Sequence, residues 1–174
     1  MEHTRRAAAE AKDARVVSFE MLYQRYGASI YSFLLRLTGD APLAEDLHQA
    51  TWLKLLRHQQ ALRADSNIRA WLFAVARNEY RSYRRWRGLD LSRLLCLHSA
   101  RAIEQVPACG SESLALERGL KQLSADDREV LLLVGVEGFE PQEAAELLGI
   151  SAPTLRKRLS RARSRLAATM EHDV

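Results

Sequence analysis

"PQEAAELLGISAPTLRKRLSRARSRL", residues 141–166, reads as two helices broken at one glycine. Glu140-Pro141 makes a helix start, because a first-turn proline lacks only an N–H that would have no partner anyway. Gly149 ends that short helix, and Ser151 is placed to cap the next. There Leu155, Leu159, Ala162 and Leu166 recur at steps of three and four, a stripe that faces a core. From Gly149 on, residues 149–168 carry six Arg or Lys side chains and no acid. A short helix, a glycine turn and a capped second helix make a helix-turn-helix, whose second helix enters the DNA major groove. The apolar stripe holds that helix on its own domain and leaves Thr154, Arg156, Lys157, Ser160, Arg161 and Ser164 to face DNA. Arginine grips guanine or phosphate in bidentate fashion, lysine acts as a point charge, and the hydroxyls reach phosphates or base edges. A solvated basic face near a chain end is the plainer alternative, but cations this dense repel one another without an anionic partner.

The rest of the composition agrees with a helical protein. Of 174 residues 47% are hydrophobic, enough for packed cores, and only four are proline. No sustained apolar/polar alternation of the strand kind occurs, so the expected fold class is all-α. Net charge is only +4 with 28% of residues charged, so the placement of positive charge matters more than its amount. No uncharged apolar run approaches the ~18 residues of a membrane span, and "MEHTRRAAAEAKDARVV" lacks a secretory core, which points to a cytoplasmic protein. Cys96, His98 and Cys109 lack the tight paired spacing of zinc ligands; no metal or other cofactor is expected.

Working back from the helix-turn-helix, "SESLALERGLKQL" and "SADDREVLLLVGVEG" read as two further helices, with Ser124 capping and Asp127 in the capping-box position. From about residue 88 to 111, Gly88, Pro107 and Gly110 punctuate short apolar fragments, the pattern of a linker. An earlier unit begins at Ser18, with a first helix burying Phe19, Leu22, Tyr23, Tyr26, Ile30, Phe33, Leu34 and Leu37. "TGDAP" breaks it, and Asp40 with Pro42 opens a second helix running to about His58. A third is expected over residues 66–87, with Ile68, Trp71, Leu72 and Val75 inward.

That third helix ends in "ARNEYRSYRRWRG", where Arg77, Arg81, Arg84, Arg85 and Arg87 alternate with Tyr80, Tyr83 and Trp86. Cations that track phosphates and aromatics that stack on unpaired bases are how proteins hold single strands. For Tyr80 and Tyr83 a core position is equally open. A linker of about 22 residues reaches ~75 Å at ~3.4 Å per residue, comparable with about 20 base pairs of duplex. One chain can then touch two DNA elements about two turns apart, one as duplex and one as opened strand.

With both clusters in place, "FEMLYQRYGASIYSFLLRLTGDAPLAEDLHQATWLKLLR" and "NIRAWLFAVARNEYRSYRR" resemble region 2 of a bacterial RNA polymerase sigma factor, and "LKQLSADDREVLLLVGVEGFEPQEAAELLGISAPTLRKRLSRARSRL" resembles region 4. Nothing between them resembles region 3, which points to the extracytoplasmic-function subfamily. The resemblance implies an N-terminal tail over residues 1–17, region 2 over 18–88, a linker over 89–112 and region 4 over 113–170. It implies that "AEDLHQATWLKLL" docks on the β′ coiled coil of core polymerase, which also contacts the protein through its β subunit, with Asp46, Gln49, Trp52 and Leu53 on the contact. Ala50 and His48 depart from the usual acidic and branched apolar residues there. A histidine at this place reads as a surface or half-buried residue rather than a pH switch. The loop "QQALRADSN" would pocket a base flipped from the minus-10 element, and Asn78, with Arg77, Tyr80, Arg81, Arg84 and Arg85, would hold that strand. Arg156, Lys157, Ser160 and Arg161 would read the minus-35 element. An anti-sigma factor, soluble or at the inner membrane, is the implied regulator.

Two other classes fit parts of this pattern: a sigma-like decoy that binds an anti-sigma factor, and an ordinary helix-turn-helix regulator with a sensor domain over residues 18–87. The decoy needs no cationic recognition face, for the regulator the helix-turn-helix unit suffices, and only a sigma factor should form a transcribing holoenzyme with purified core polymerase. No nucleophile and base pair, Gly-rich phosphate loop or metal spacing supports an enzyme.

Overall fold

A computed structural model describes residues 18–58, 67–91 and 111–172. Among them every regular element is helical: α1 (Phe19–Thr38), α2 (Ala41–His58), α3 (Ile68–Leu91), α4 (Ser111–Gln122), α5 (Ala125–Leu131), a π-helical turn (Leu132–Val136), α6 (Pro141–Leu148) and α7 (Ala152–His172). The tail over residues 1–17, the loop over 59–66, and Cys96, His98 and Cys109 with most of the expected linker lie outside the described residues.

The caps follow the sequence closely. Asp40 Oδ1 accepts from the Leu43 N–H at 3.1 Å, Asn67 Oδ1 from Ala70 at 3.0 Å, and Ser124 Oγ from Asp127 at 3.2 Å, each taking up a first-turn donor with no partner inside its helix. Ser18 precedes α1 as expected, but its hydroxyl donates to Glu20 instead of accepting from the backbone. Gly149 ends α6 in the left-handed region at φ 66°, while the Ile150 N–H reaches back to the Ala145 carbonyl at 3.0 Å.

α1, α2 and α3 pack together, and α4, α5, α6 and α7 form a second group around α7. In α1 the buried face is Leu22, Ile30, Phe33, Leu34 and Leu37. α3 differs from expectation in two ways. It runs on through Gly88 to Leu91, and its fully buried residues are Leu72, Phe73 and Ala76, whereas Trp71 and Val75 are half-buried. The pattern of burial arises because α3 is covered on two sides, by α1 and α2 and by α6 of the second group.

The two helical units expected from the sequence lie against each other, and a single apolar core runs through both. Phe139 carries the continuity. It follows the π-helical turn, in which Glu137 N–H bonds to the Leu132 carbonyl at 2.9 Å, and Gly138, whose positive φ of 69° reverses the chain. Its ring, 2% exposed, meets Phe73 edge-on at 5.1 Å, and Phe73 meets Phe33 at 5.2 Å. Burying a side chain of this size contributes about 1.5–3 kcal/mol. The Arg69 guanidinium lies 4.0 Å from the center of the Phe139 ring and donates to the Glu137 carbonyl.

Candidate nucleic-acid interface

In α7 the stripe expected to face inward does so: Leu155, Leu159 and Ala162 are buried and Leu166 is half-buried. That fixes the helix by one side and presents Thr154, Arg156, Lys157, Ser160, Arg161 and Ser164 to solvent together. Two of the six are engaged within α7's own surroundings: Thr154 Oγ1 lies 2.8 Å from Ser151 Oγ, and Ser164 donates to the Ser160 carbonyl at 3.1 Å. Arg161 is partly committed as well. Its Nη2 donates to Asp127 Oδ1 at 2.7 Å and its Nε to Oδ2 at 3.2 Å, while Arg165 Nη1 reaches Oδ2 at 3.2 Å. Asp127, 1% exposed, thus anchors α7 to α5 rather than only completing a cap. Burial alone would raise its pKa, but hydrogen bonds from Arg161 and Ser124 and the charges of Arg161 and Arg165 outweigh it and lower the carboxyl below its ordinary value. Arg161 nevertheless keeps an exposed side chain, 46% accessible.

On α3 the structure sorts the expected strand-binding residues into two sets. Asn78, Arg81, Arg84 and Arg85 line one open depression on the molecular surface. Arg77 and Tyr80 are buried, 7% and 6% exposed, and this corrects their expected place on DNA in this arrangement. Arg77 Nε donates to Glu129 Oε2 at 2.8 Å, and its other nitrogens reach the Leu147 and Leu148 carbonyls, at 3.5 and 3.3 Å, that end α6. Tyr80 has its hydroxyl pKa raised by burial, and the Arg84 guanidinium lies 5.7 Å from its ring center. Tyr83 is half-buried and Trp86 is 63% exposed.

α2, the helix expected to dock on polymerase, exposes Asp46, Gln49, Leu53 and Leu56, spaced to share one face. Trp52, expected beside them, is 4% exposed and packs edge-on against Tyr23 at 4.8 Å and Phe19 at 5.7 Å, so it supports α2 from beneath. It donates its indole N–H to His48 Nε2 at 2.8 Å, a lone pair that only a neutral ring offers, and burial lowers the pKa of this half-buried histidine. The same nitrogen lies 3.1 Å from the Gly27 carbonyl, to which it could only donate, so the two contacts are alternatives set by the tautomer of the ring.

The residues that sequence reasoning missed join the two units. Arg128 donates to the Leu37 carbonyl at the end of α1 (2.8 Å) and to the Leu120 carbonyl near the end of α4 (2.7 Å). Asn67, at the start of α3, donates to Glu143 of α6. One turn of α5 therefore serves four neighbors: Asp126 pairs with Arg158 at 3.1 Å and Asp127 with Arg161, both on α7; Arg128 reaches α1 and α4; Glu129 takes Arg77 on α3. Periodicity shows little of this, because, the Arg128–Leu120 contact aside, the partners lie from about 30 to 91 positions apart.

Among the described residues no helix is long and apolar enough to cross a membrane. The family described as Sigma-70 region 2 matches residues 22–88, and Sigma-70, region 4 matches residues 113–166. The chain is 34% identical over 147 residues to the ECF RNA polymerase sigma factor EcfG of Rhodopseudomonas palustris, covering 83% of this chain and 81% of that protein. It is 32% identical over 169 residues to the ECF RNA polymerase sigma factor SigL of Mycobacterium tuberculosis, covering 95% and 93%. The fold superposes on the sigma factor RpoE of Bartonella quintana, solved in complex with the anti-sigma factor NepR, with a TM-score of 0.79 at 31% identity over 90% of this chain and 98% of that one. Two matched regions in the right order, on a fold shared along nearly the whole length, place the chain in the extracytoplasmic-function (ECF) family of RNA polymerase sigma factors.

Proposed function

We propose that this sigma factor binds core RNA polymerase through the exposed face of α2, holds the opened minus-10 strand on α3 and reads the minus-35 duplex with α7. The carrying observation is α7 itself, a helix anchored by Leu155, Leu159 and Ala162 with Arg156 and Lys157 exposed to solvent. Neither cation has a hydrogen bond or ion pair among the described residues, so a phosphate or base edge meets no competitor there. On α3, Asn78, Arg81, Arg84 and Arg85 supply charge and amide groups along one open surface, as an unpaired strand requires. Asp46, Gln49, Leu53 and Leu56 give α2 a mixed polar and apolar face of the kind a partner helix covers.

Reading two elements at once requires the units to part. The 19 residues between Leu91 and Ser111 allow up to ~65 Å at ~3.4 Å each, about the length of 20 base pairs. The compact arrangement is then the resting form, and the likeness to a sigma factor solved with an anti-sigma factor supports regulation by such a protein. The test is reconstitution: the chain mixed with purified bacterial core polymerase should co-elute as holoenzyme and start transcription at defined positions in a promoter library. Asp46→Ala with Gln49→Ala should lower holoenzyme yield with helix content intact. Assembly without promoter choice, or no assembly, rejects the reading.

A further inference from the structure

Arg77, Arg81 and Arg84 lie at i, i+4 and i+7 on α3, so at 100° per residue they form one row along the helix. The outer two line the open depression beside Asn78, while the inner one runs beneath the second unit into Glu129. The pair is deeply enclosed, with side chains 8% and 3% exposed, and Glu129 Oε1 has no hydrogen-bond partner among the described residues. An ion pair in such a place is a poor way to hold two surfaces together, since apolar residues of similar volume usually do as well or better. Its presence makes sense if Arg77 has a second partner. A carboxylate and a phosphate present the same kind of acceptor oxygens to a guanidinium.

We propose that Glu129 holds Arg77 as an intramolecular stand-in for a strand phosphate, so that the compact form withholds one cation of the α3 row until the units separate. This rests on the strand-binding role given to α3 above. Separation exchanges one anionic partner of Arg77 for another, whereas the exposed cations Arg81 and Arg84 are available throughout. Two carbonyls at the end of α6 complete the grip on Arg77, so withdrawal of the second unit frees the guanidinium from all three acceptors together.

The test uses the full chain and a short, mixed-sequence, fluorescein-labelled single-stranded DNA. Glu129→Gln leaves Arg77 buried without a counter-charge, which favors opening. The variant should show a larger radius of gyration by X-ray scattering, and its binding to the oligonucleotide should tighten. The slope of log affinity against log salt should steepen by about 0.7, the increment for one further phosphate neutralised on a single strand. Arg77→Gln should expand the chain in the same way without steepening the slope, and the double variant should match it. Equal slopes for wild type and Glu129→Gln, or the same steepening in Arg77→Gln, overturn the proposal while leaving promoter function to the holoenzyme assay. A wild-type chain with no salt-dependent binding at all counts instead against strand binding by α3. If circular dichroism shows Glu129→Gln to have lost helix, Glu143→Ala at the rim of the junction takes its place: it frees Asn67 without touching the buried pair, and should steepen the slope by part of the same increment. No change there overturns the proposal equally.

Discussion

Asp127 is a carboxylate whose position in the chain is legible and whose work is not. Its place three residues after Ser124 announces a helix start, and the Ser124 hydroxyl does accept from its N–H. Its side chain, however, answers to Arg161 and Arg165, which no local pattern reveals. Because the folded carboxyl titrates below its ordinary value of 3.8, the stability it contributes is complete above that pH and is lost as pH falls through the lower folded value. Asp127→Asn should therefore cost about 1–2 kcal/mol at pH 7, the half-exposed arginines limiting the loss. Urea titrations at stepped pH should show wild type and variant converging only below about pH 4. A constant gap down to pH 2 would mean that the aspartate acts through packing instead of charge.

Helices with one buried face are the elements most legible in sequence. α7 buries the residues its spacing names, and all six proposed DNA-reading side chains lie on its exposed surface. Replacing Arg156 and Lys157 with Ala should weaken duplex binding by holoenzyme and flatten its salt slope by about 0.9 for each phosphate left without its cation, with polymerase binding unchanged. Filter binding across a salt series measures it, and an unaltered slope removes both residues from the interface. α3 is less legible, since a helix covered on two sides has no single apolar period, and the mixture of Phe73, Ala76, Arg77 and Tyr80 on its covered surface looks amphipathic in no one direction. The π-helical turn leaves no signal either. "LLLVGV" has the composition of an ordinary helix, and the extra residue in the turn becomes visible only in the Glu137-to-Leu132 hydrogen bond.

At the scale of the molecule, sequence gives two helical groups in order, and structure adds that they share a core. Nothing local marks Phe139 as their link, because a phenylalanine after a glycine turn serves its own unit just as often. Phe139→Ala should remove about 3–5 kcal/mol from the compact arrangement. The expected outcome is a raised radius of gyration with helix content retained, whereas Val136→Ala, at a side chain 50% exposed, should change neither. A Phe139→Ala chain that stays compact would place the link in the arginine contacts alone. The single turn at residues 126–129 has a wider consequence. Its neighboring side chains attach α7, the helix proposed to read the promoter, on one flank and the seam between the two units on the other. Natural selection cannot retune one without disturbing the other, so substitutions in this tetrapeptide should arise during evolution as linked sets, matched by changes at their distant partners.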